Sequence, residues 1–227
     1  MTSGERPQQT RDWIAWHRDY DAATPLTRRL AIVQRWISSL VTDARPGPIR
    51  VVSMCAGDAR DLVGALRDHP RRKDISGRLV EIDPELAARA RDRAVAAAIG
   101  VDVAEGDAGW SSSYDGAVPA NLILACGVFG NVSDADVERT IKFLPRLVTP
   151  GASVIWTRHR RPPDRTSEVR AWFEEAGFAE VAIEPVPDSV ATVGVHRLVG
   201  APLAFEADRL LFRFVPSDAD AQGSAAP

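Results

Sequence analysis

From Ile49 onward, short apolar runs alternate with amphipathic ones, and turn signals close each of them. IRVVSM (49–54), GRLVEI (77–82), VDVAEGDA (101–108), ANLILACG (120–127) and ASVIWTR (152–158) read as strands. DARDLVGALRDH (58–69), PELAARARDRAVAAAIG (84–100), which closes in glycine, and SDADVERTIKFLPRL (133–147), capped by Ser133, read as helices. A further helix, TSEVRAWFEEAG (166–177), follows the turn RRPPD. Strands that alternate with helices pair in parallel and need cover on both faces of the sheet. The expectation is an α/β fold with a doubly wound, mostly parallel sheet.

The ending breaks the rhythm. FAEVAIEPV (178–186) and SVATVGVHRLV (189–199) have no helix between them, only Pro185, Pro187 and Asp188. That is a β-hairpin signal and brings the strand count to seven. Two helices are expected before the alternation. Trp13, Trp16, His17 and Tyr20 recur at helical spacing on the first. Thr24-Pro25 opens the second, whose stripe is Leu26, Leu30, Val33, Ile37, Leu40 and Val41, and Arg45-Pro-Gly-Pro48 ends it. Residues 202–215 are apolar but follow neither period. The expected organisation is one domain over 11–215, with a helical cap (11–45), a core (49–198) and disordered ends at 1–10 and 216–227.

Charged residues make up 26% of the 227, with a net charge of −3. Nucleic acid and an anionic membrane are therefore not expected partners on general electrostatics. MTSGERPQQTR has no apolar signal core, and no run approaches the ~18 apolar residues of a membrane span. Cys55 and Cys126 each follow an apolar run and make no disulfide framework, so a cytoplasmic setting is expected. No Cys, His or Asp spacing resembles a metal site.

A parallel sheet delivers its functional residues to the rim beyond its C-terminal strand ends. Here that rim receives Cys55, Ala56, Gly57 and Asp58 after the first strand. It receives Glu81, Ile82 and Asp83 after the second, Asp107 and Ala108 after the third, and Cys126, Gly127 and VFGN after the fourth. A carboxylate about 20 residues beyond a glycine turn can bind ribose hydroxyls, and Glu81 lies 24 beyond Gly57. In that order the groups suit an adenosine: turn at its tail, acid at its sugar, Asp107 at its base. Each has a plainer reading alone. Glu81 or Asp83 can cap the helix that opens at Pro84, and Asp107 can be a loop residue.

VVSMCAGDARDL, LVEIDPELAARAR and AEGDA resemble the first three motifs of the class I S-adenosylmethionine-dependent methyltransferases. The resemblance spans residues 49–198, closing hairpin included. It implies methyl transfer from S-adenosyl-L-methionine to a small-molecule acceptor, leaving S-adenosyl-L-homocysteine. The family's acid-x-Gly-x-Gly-x-Gly falls on Ser53, Cys55, Gly57 and Ala59, so the acid and two glycines are replaced. Arg60 and Asp61 are candidates to compensate. The ribose acid maps to Glu81, the adenine-side acid to Asp107 beside the Ala108 N–H, and the loop Cys126–Asn131 runs along the methionine moiety. Tyr20, on the N-terminal helix that folds over such sites, is a further cofactor contact.

A general base is needed only if the acceptor loses a proton, and His159 in WTRHRRPPD is the candidate. His69 reads as a surface residue and His196 as a packed one. Arg158, Arg160 and Arg161 imply an anionic acceptor if they face the cleft; the plainer and preferred reading is a solvated charge cluster. Two other readings stay open: a non-catalytic protein that binds the same cofactor as sensor or partner subunit, and an NAD-binding Rossmann enzyme, which would want a full G-x-G-x-x-G.

Overall fold

The computed structural model describes residues 24–215. The first expected helix, with Trp13, Trp16, His17 and Tyr20, lies outside the described residues. The second is α1, Pro25–Asp43. A reciprocal cap sets its start. The Thr24 hydroxyl accepts the Thr27 N–H, and the Thr27 hydroxyl accepts the Thr24 N–H. Two donors that a helix start leaves over are thereby satisfied. Its end is held from a distance, by the Arg71 guanidinium donating to the carbonyls of Val41, Ala44, Arg45 and Gly47 at 2.6–3.1 Å.

Seven strands follow: β1 Ile49–Met54, β2 Ile75–Glu81, β3 Gly100–Glu105, β4 Ala120–Ala125, β5 Val148–His159, β6 Phe178–Pro185 and β7 Ala191–Leu198. The helices between them are α2 Arg60–Leu66, α3 Pro84–Ala96, α4 Asp134–Phe143 and α5 Thr166–Glu175. All strands join one sheet in the order β3-β2-β1-β4-β5-β7-β6. Pairing is parallel from β3 through β5, and β7 runs antiparallel between β5 and β6. The expected hairpin is present, with β7 inserted and β6 at the edge.

Strand alternation divides the core into two layers. Val51, Leu122, Leu124 and Ile155 pack with α1, α2 and α3. Val52, Met54, Ile123, Val154 and Trp156 pack with α4 and α5 on the other face. The sheet is thus doubly wound, and strand order reverses between β1 and β4.

Several elements depart from expectation: β2 begins two residues before 77, β3 ends three before 108, β4 two before 127, and the helix expected over 133–147 stops at Phe143. The first crossover helix is shorter than 58–69, because the chain makes left-handed turns up to Ala59 before it can coil. The second ends at Ala96 rather than in glycine; Ala98 takes the left-handed turn (φ +53°) and Gly100 opens β3. The fifth strand is longer than 152–158 at both ends. His69 is buried rather than at the surface, its ring between the Thr42 hydroxyl (3.0 Å) and the Arg71 N–H (3.1 Å). Residues 202–215, without a period in sequence, have a defined place.

That last segment fills a gap. The crossover from β3 to β4 carries only one 3-10 turn, Ser111–Tyr114, and leaves one face thinly covered. Leu211 and Phe212, each 1% exposed, take that position beside Tyr114 and α4. The segment is stitched on through single backbone bonds. Leu203 N donates to Pro145 O, Ser111 N to Arg209 O, Leu211 N to Gly109 O and Val215 N to Asn131 O, at 2.7–2.9 Å. A Cβ on Gly109 would stand 2.3 Å from Phe212 O, so only glycine admits this approach.

Candidate functional site

The rim is assembled from the turn after β1. Cys55, Gly57 and Ala59 all have left-handed backbones, with φ of +56°, +56° and +59°. Glycine adopts this conformation freely, while other L-residues pay roughly 1–2 kcal/mol for it. The three positions match those at which the family motif places glycine. The geometry is kept although two glycines are gone. The Ala56 N–H donates to Val80 O at 2.9 Å and ties the turn to β2.

Glu81 closes the turn from the end of β2. One carboxylate oxygen accepts the Gly57 N–H at 2.7 Å, the other the Asp83 N–H at 3.0 Å. The residue is 6% exposed. Burial raises its pKa, and the N–H groups of Asp83, Gly57 and Ile82 pull it back. Asp83 caps α3, accepting the N–H groups of Glu85 and Leu86. Of the two acids before Pro84, Asp83 serves the helix and Glu81 the turn.

Asp107, after β3, accepts the Gly109 N–H at 2.8 Å. Ala108 is buried, with its carbonyl accepting the Tyr114 hydroxyl. Burial raises the Cys55 thiol well above its ordinary pKa, and the charges of Glu81 and Asp107 raise it further. The thiol therefore stays protonated at neutral pH. Ile82 is 65% exposed and Trp110 38% exposed, an apolar margin on a charged edge.

Asp58 and Arg60 meet each other. Asp58 is fully buried, chelated by the Arg60 guanidinium at 2.6–3.1 Å and paired with Arg93 of α3 at 3.0 Å. They brace the turn against α3. Ser53, at the missing motif acid, is 2% exposed. Asp61, offered in sequence only as compensation, accepts the Leu62 N–H at 2.7 Å at the start of α2. Burial pushes its carboxyl up to about 6, the Leu62 N–H opposing and the Asp58 charge adding. Burial and the Asp61 charge in turn raise the Cys126 thiol.

The other half of the rim belongs to β4 and β5. Gly127 (φ +78°) donates its N–H to the Thr157 hydroxyl at 2.8 Å, and the Asn131 amide donates to Gly127 O at 2.7 Å. These bonds fix the loop after β4. His159 packs its ring against Gly130. Its pKa is lowered by burial and by Arg158 and Arg161. Its Nδ1 accepts the Arg161 N–H at 3.4 Å, so the neutral ring carries its proton on Nε2. Arg158, 8% exposed, pairs with Asp134 at the start of α4 at 2.6 Å. Sequence reading passed over Asp134 and Arg165; no local pattern joins two helix starts to a strand end.

His196 lies in the core, as expected. Its Nδ1 accepts the Trp156 indole N–H at 3.1 Å and its ring stacks on Phe173 at 4.0 Å. Burial pulls its pKa down to about 4. Among the described residues, no cluster of three His, Cys, Asp or Glu could hold a metal ion, and no helix is long and apolar enough to cross a membrane.

No family model and no curated protein sequence matches this chain. Solved structures do. An O-methyltransferase family protein from Burkholderia thailandensis superposes with TM-score 0.62 at 17% identity, covering 83% of this chain. This chain spans 60% of that protein's length. Magnesium protoporphyrin IX methyltransferase from Synechocystis PCC 6803, solved with bound SAH, gives 0.62 at 12% identity over 82% of this chain and 93% of its own. The [4+2]-cyclase SpnF gives 0.54 at 14% identity over 73% and 80%. The chain has the class I methyltransferase fold.

Proposed function

We propose that this protein transfers a methyl group from S-adenosyl-L-methionine to a small-molecule acceptor and releases S-adenosyl-L-homocysteine. One observation carries the reading: three left-handed residues at positions 55, 57 and 59 are locked to Glu81 through the Gly57 N–H. The residues present fit the cofactor. Each Glu81 oxygen uses one lone pair on the backbone and keeps another for a sugar hydroxyl. Ile82 offers an apolar surface for the base, with Asp107 and the Ala108 N–H at its edge. Gly57 lets the backbone approach the amino-acid portion, and Asp61 supplies the carboxylate that Ser53 cannot.

When bound, the sulfonium supplies a methyl already activated for in-line displacement. The chain's part is orientation, which can lower such a barrier by about 7–11 kcal/mol. Bound there, the methyl would pass to an acceptor lone pair while the carbon–sulfur electron pair stayed with sulfur, and the rim would hold the two in line. The Gly127–Asn131 loop, pinned by Thr157, bounds the space where the acceptor must lie. His159 borders that loop and is neutral at pH 7. With Nδ1 on Arg161 it offers an Nε2–H to an acceptor oxygen; it becomes a base only if that contact breaks. The free thiols of Cys55 and Cys126 fit a reducing, cytoplasmic setting.

Ser53 in place of the acid favours a second reading, a protein that binds the cofactor without turnover. Calorimetry with both cofactor forms, followed by an acceptor panel with labelled donor, separates the two. Methyl transfer is the expected result. Binding without transfer to any acceptor supports the second reading, and preference for NAD overturns both.

A further inference from the structure

The end of β5 holds arginines with unused donors. The Arg158 side chain is 8% exposed, and only its Nη2 is engaged, on Asp134. Its Nε and Nη1 are buried with no hydrogen-bond partner, as is Nε of Arg160. Arg165 approaches the same Asp134, with Nε 3.1 Å from Oδ2, yet that buried nitrogen makes no aligned hydrogen bond. Asp164 accepts the N–H and hydroxyl of Thr166, and Glu168 accepts Arg165 Nη1 and the Ser167 hydroxyl. Arg158 and Arg165 meet on the two oxygens of Asp134, and Arg160 lies two residues beyond Arg158, on the same side of the chain as it leaves β5. Buried charged donors are almost always paired in folded proteins. Every cation here is arginine, whose planar N–H array matches carboxylate and phosphate.

The cluster borders the acceptor side of the rim. Arg158 shares the face of Val154 and Trp156, opposite Thr157 and His159, and reaches the loop after β4 through Asp134, where that loop passes into α4. We infer that the acceptor carries an oxyanion, a carboxylate or a phosphate, that Arg158 binds through its unused N–H groups with Arg160 and Arg165 beside it. That this anion belongs to a methyl acceptor rests on the function proposed above; the anion site itself does not.

The test titrates the full chain by calorimetry with inorganic phosphate and, separately, with benzoate, against chloride as the control, with and without S-adenosyl-L-homocysteine. One-site saturable binding of phosphate or benzoate is expected, and the tighter of the two identifies the class. Arg158→Gln should weaken it at least about tenfold and Arg165→Gln severalfold, whereas exposed Arg161→Gln should leave it unchanged. If Arg158→Gln does not fold, Arg158→Lys and Arg165→Gln decide the matter by the same loss. No saturable binding beyond chloride overturns the inference, and so does equal weakening by all three substitutions, the mark of diffuse charge. Phosphate binding in a protein that takes no S-adenosyl-L-homocysteine keeps the anion site and overturns the methyl-transfer reading instead.

Discussion

The two halves of the rim solve opposite problems. On the β1–β2–β3 side the polar groups answer each other before any ligand arrives: Glu81 with Gly57 and Asp83, Asp107 with Gly109, Asp58 with Arg60 and Arg93. On the β5 side Arg158 and Arg160 keep buried N–H groups without acceptors. The first half is a finished cradle, built largely from backbone, and suits a ligand of fixed shape. The second keeps donors in reserve, which is what the anion site inferred above would use. On the function proposed above, a cofactor would use the first half and a methyl acceptor the second, two different demands on the same sheet edge.

The largest effects should come from breaking the finished half. Gly57→Val puts a β-branched residue at φ +56° and should abolish measurable binding of S-adenosyl-L-homocysteine in calorimetry. Glu81→Ala strands two N–H groups and removes the sugar's acceptor; a loss of about 3 kcal/mol, or ~100-fold, is expected. Unchanged affinity in folded protein for both variants would mean that the cradle holds something else.

Acid stability tests the ground beneath the other half. His196 has a folded pKa of about 4, below its usual 6.5. The unfolded chain therefore takes up the proton first. Its contribution is fully present above pH 6.5 and fades by about 3 kcal/mol as pH falls toward 4. Asp61 runs the other way. Its folded pKa of about 6 exceeds the usual 3.8, so it costs stability as pH rises through that window. Asp61→Asn should raise stability at pH 7 by about 2 kcal/mol, with the gain gone below pH 4, and should weaken cofactor binding. Denaturant melts across pH 4–7 check both, and the Asn variant should show the steeper fall on acidification. A variant no more stable at pH 7 would show that Asp61 is not strained by burial.

The smallest effect concerns the replaced glycines. Ala59→Gly should relieve a left-handed alanine and stabilise by up to about 1 kcal/mol, read as a higher denaturation midpoint with an unchanged slope. Cys55→Gly should gain less, because Cys55 also packs against the core. Destabilisation by Ala59→Gly would show that the turn is not strained at all.

Legibility followed the range of the interactions. β1 and the Ser133 cap were readable to the residue because period and capping act over a few neighbours. The turn was readable as a cradle even with Cys55 and Ala59 in it, since small residues at alternate positions after a strand leave few backbone paths. Glu81 and Asp83 could not be told apart, because both precede Pro84 and only the fold shows which one meets Gly57. The pairing of Asp58 with Arg60 and with Arg93, which lies more than 30 positions away on α3, was not legible either.

What the sequence determined by itself was the winding: alternating periods force a parallel sheet with helices on both faces, and a hairpin at the end. What tertiary structure decided was occupancy. It set the place of Leu211 and Phe212 where a crossover helix is lacking, the hold of Arg71 on the end of α1, and the meeting of Arg158, Arg165 and Asp134. Periodicity reports only which side of a segment faces the core. Contacts made by single residues across distant segments leave no period, so they exist only once the chain has closed on itself.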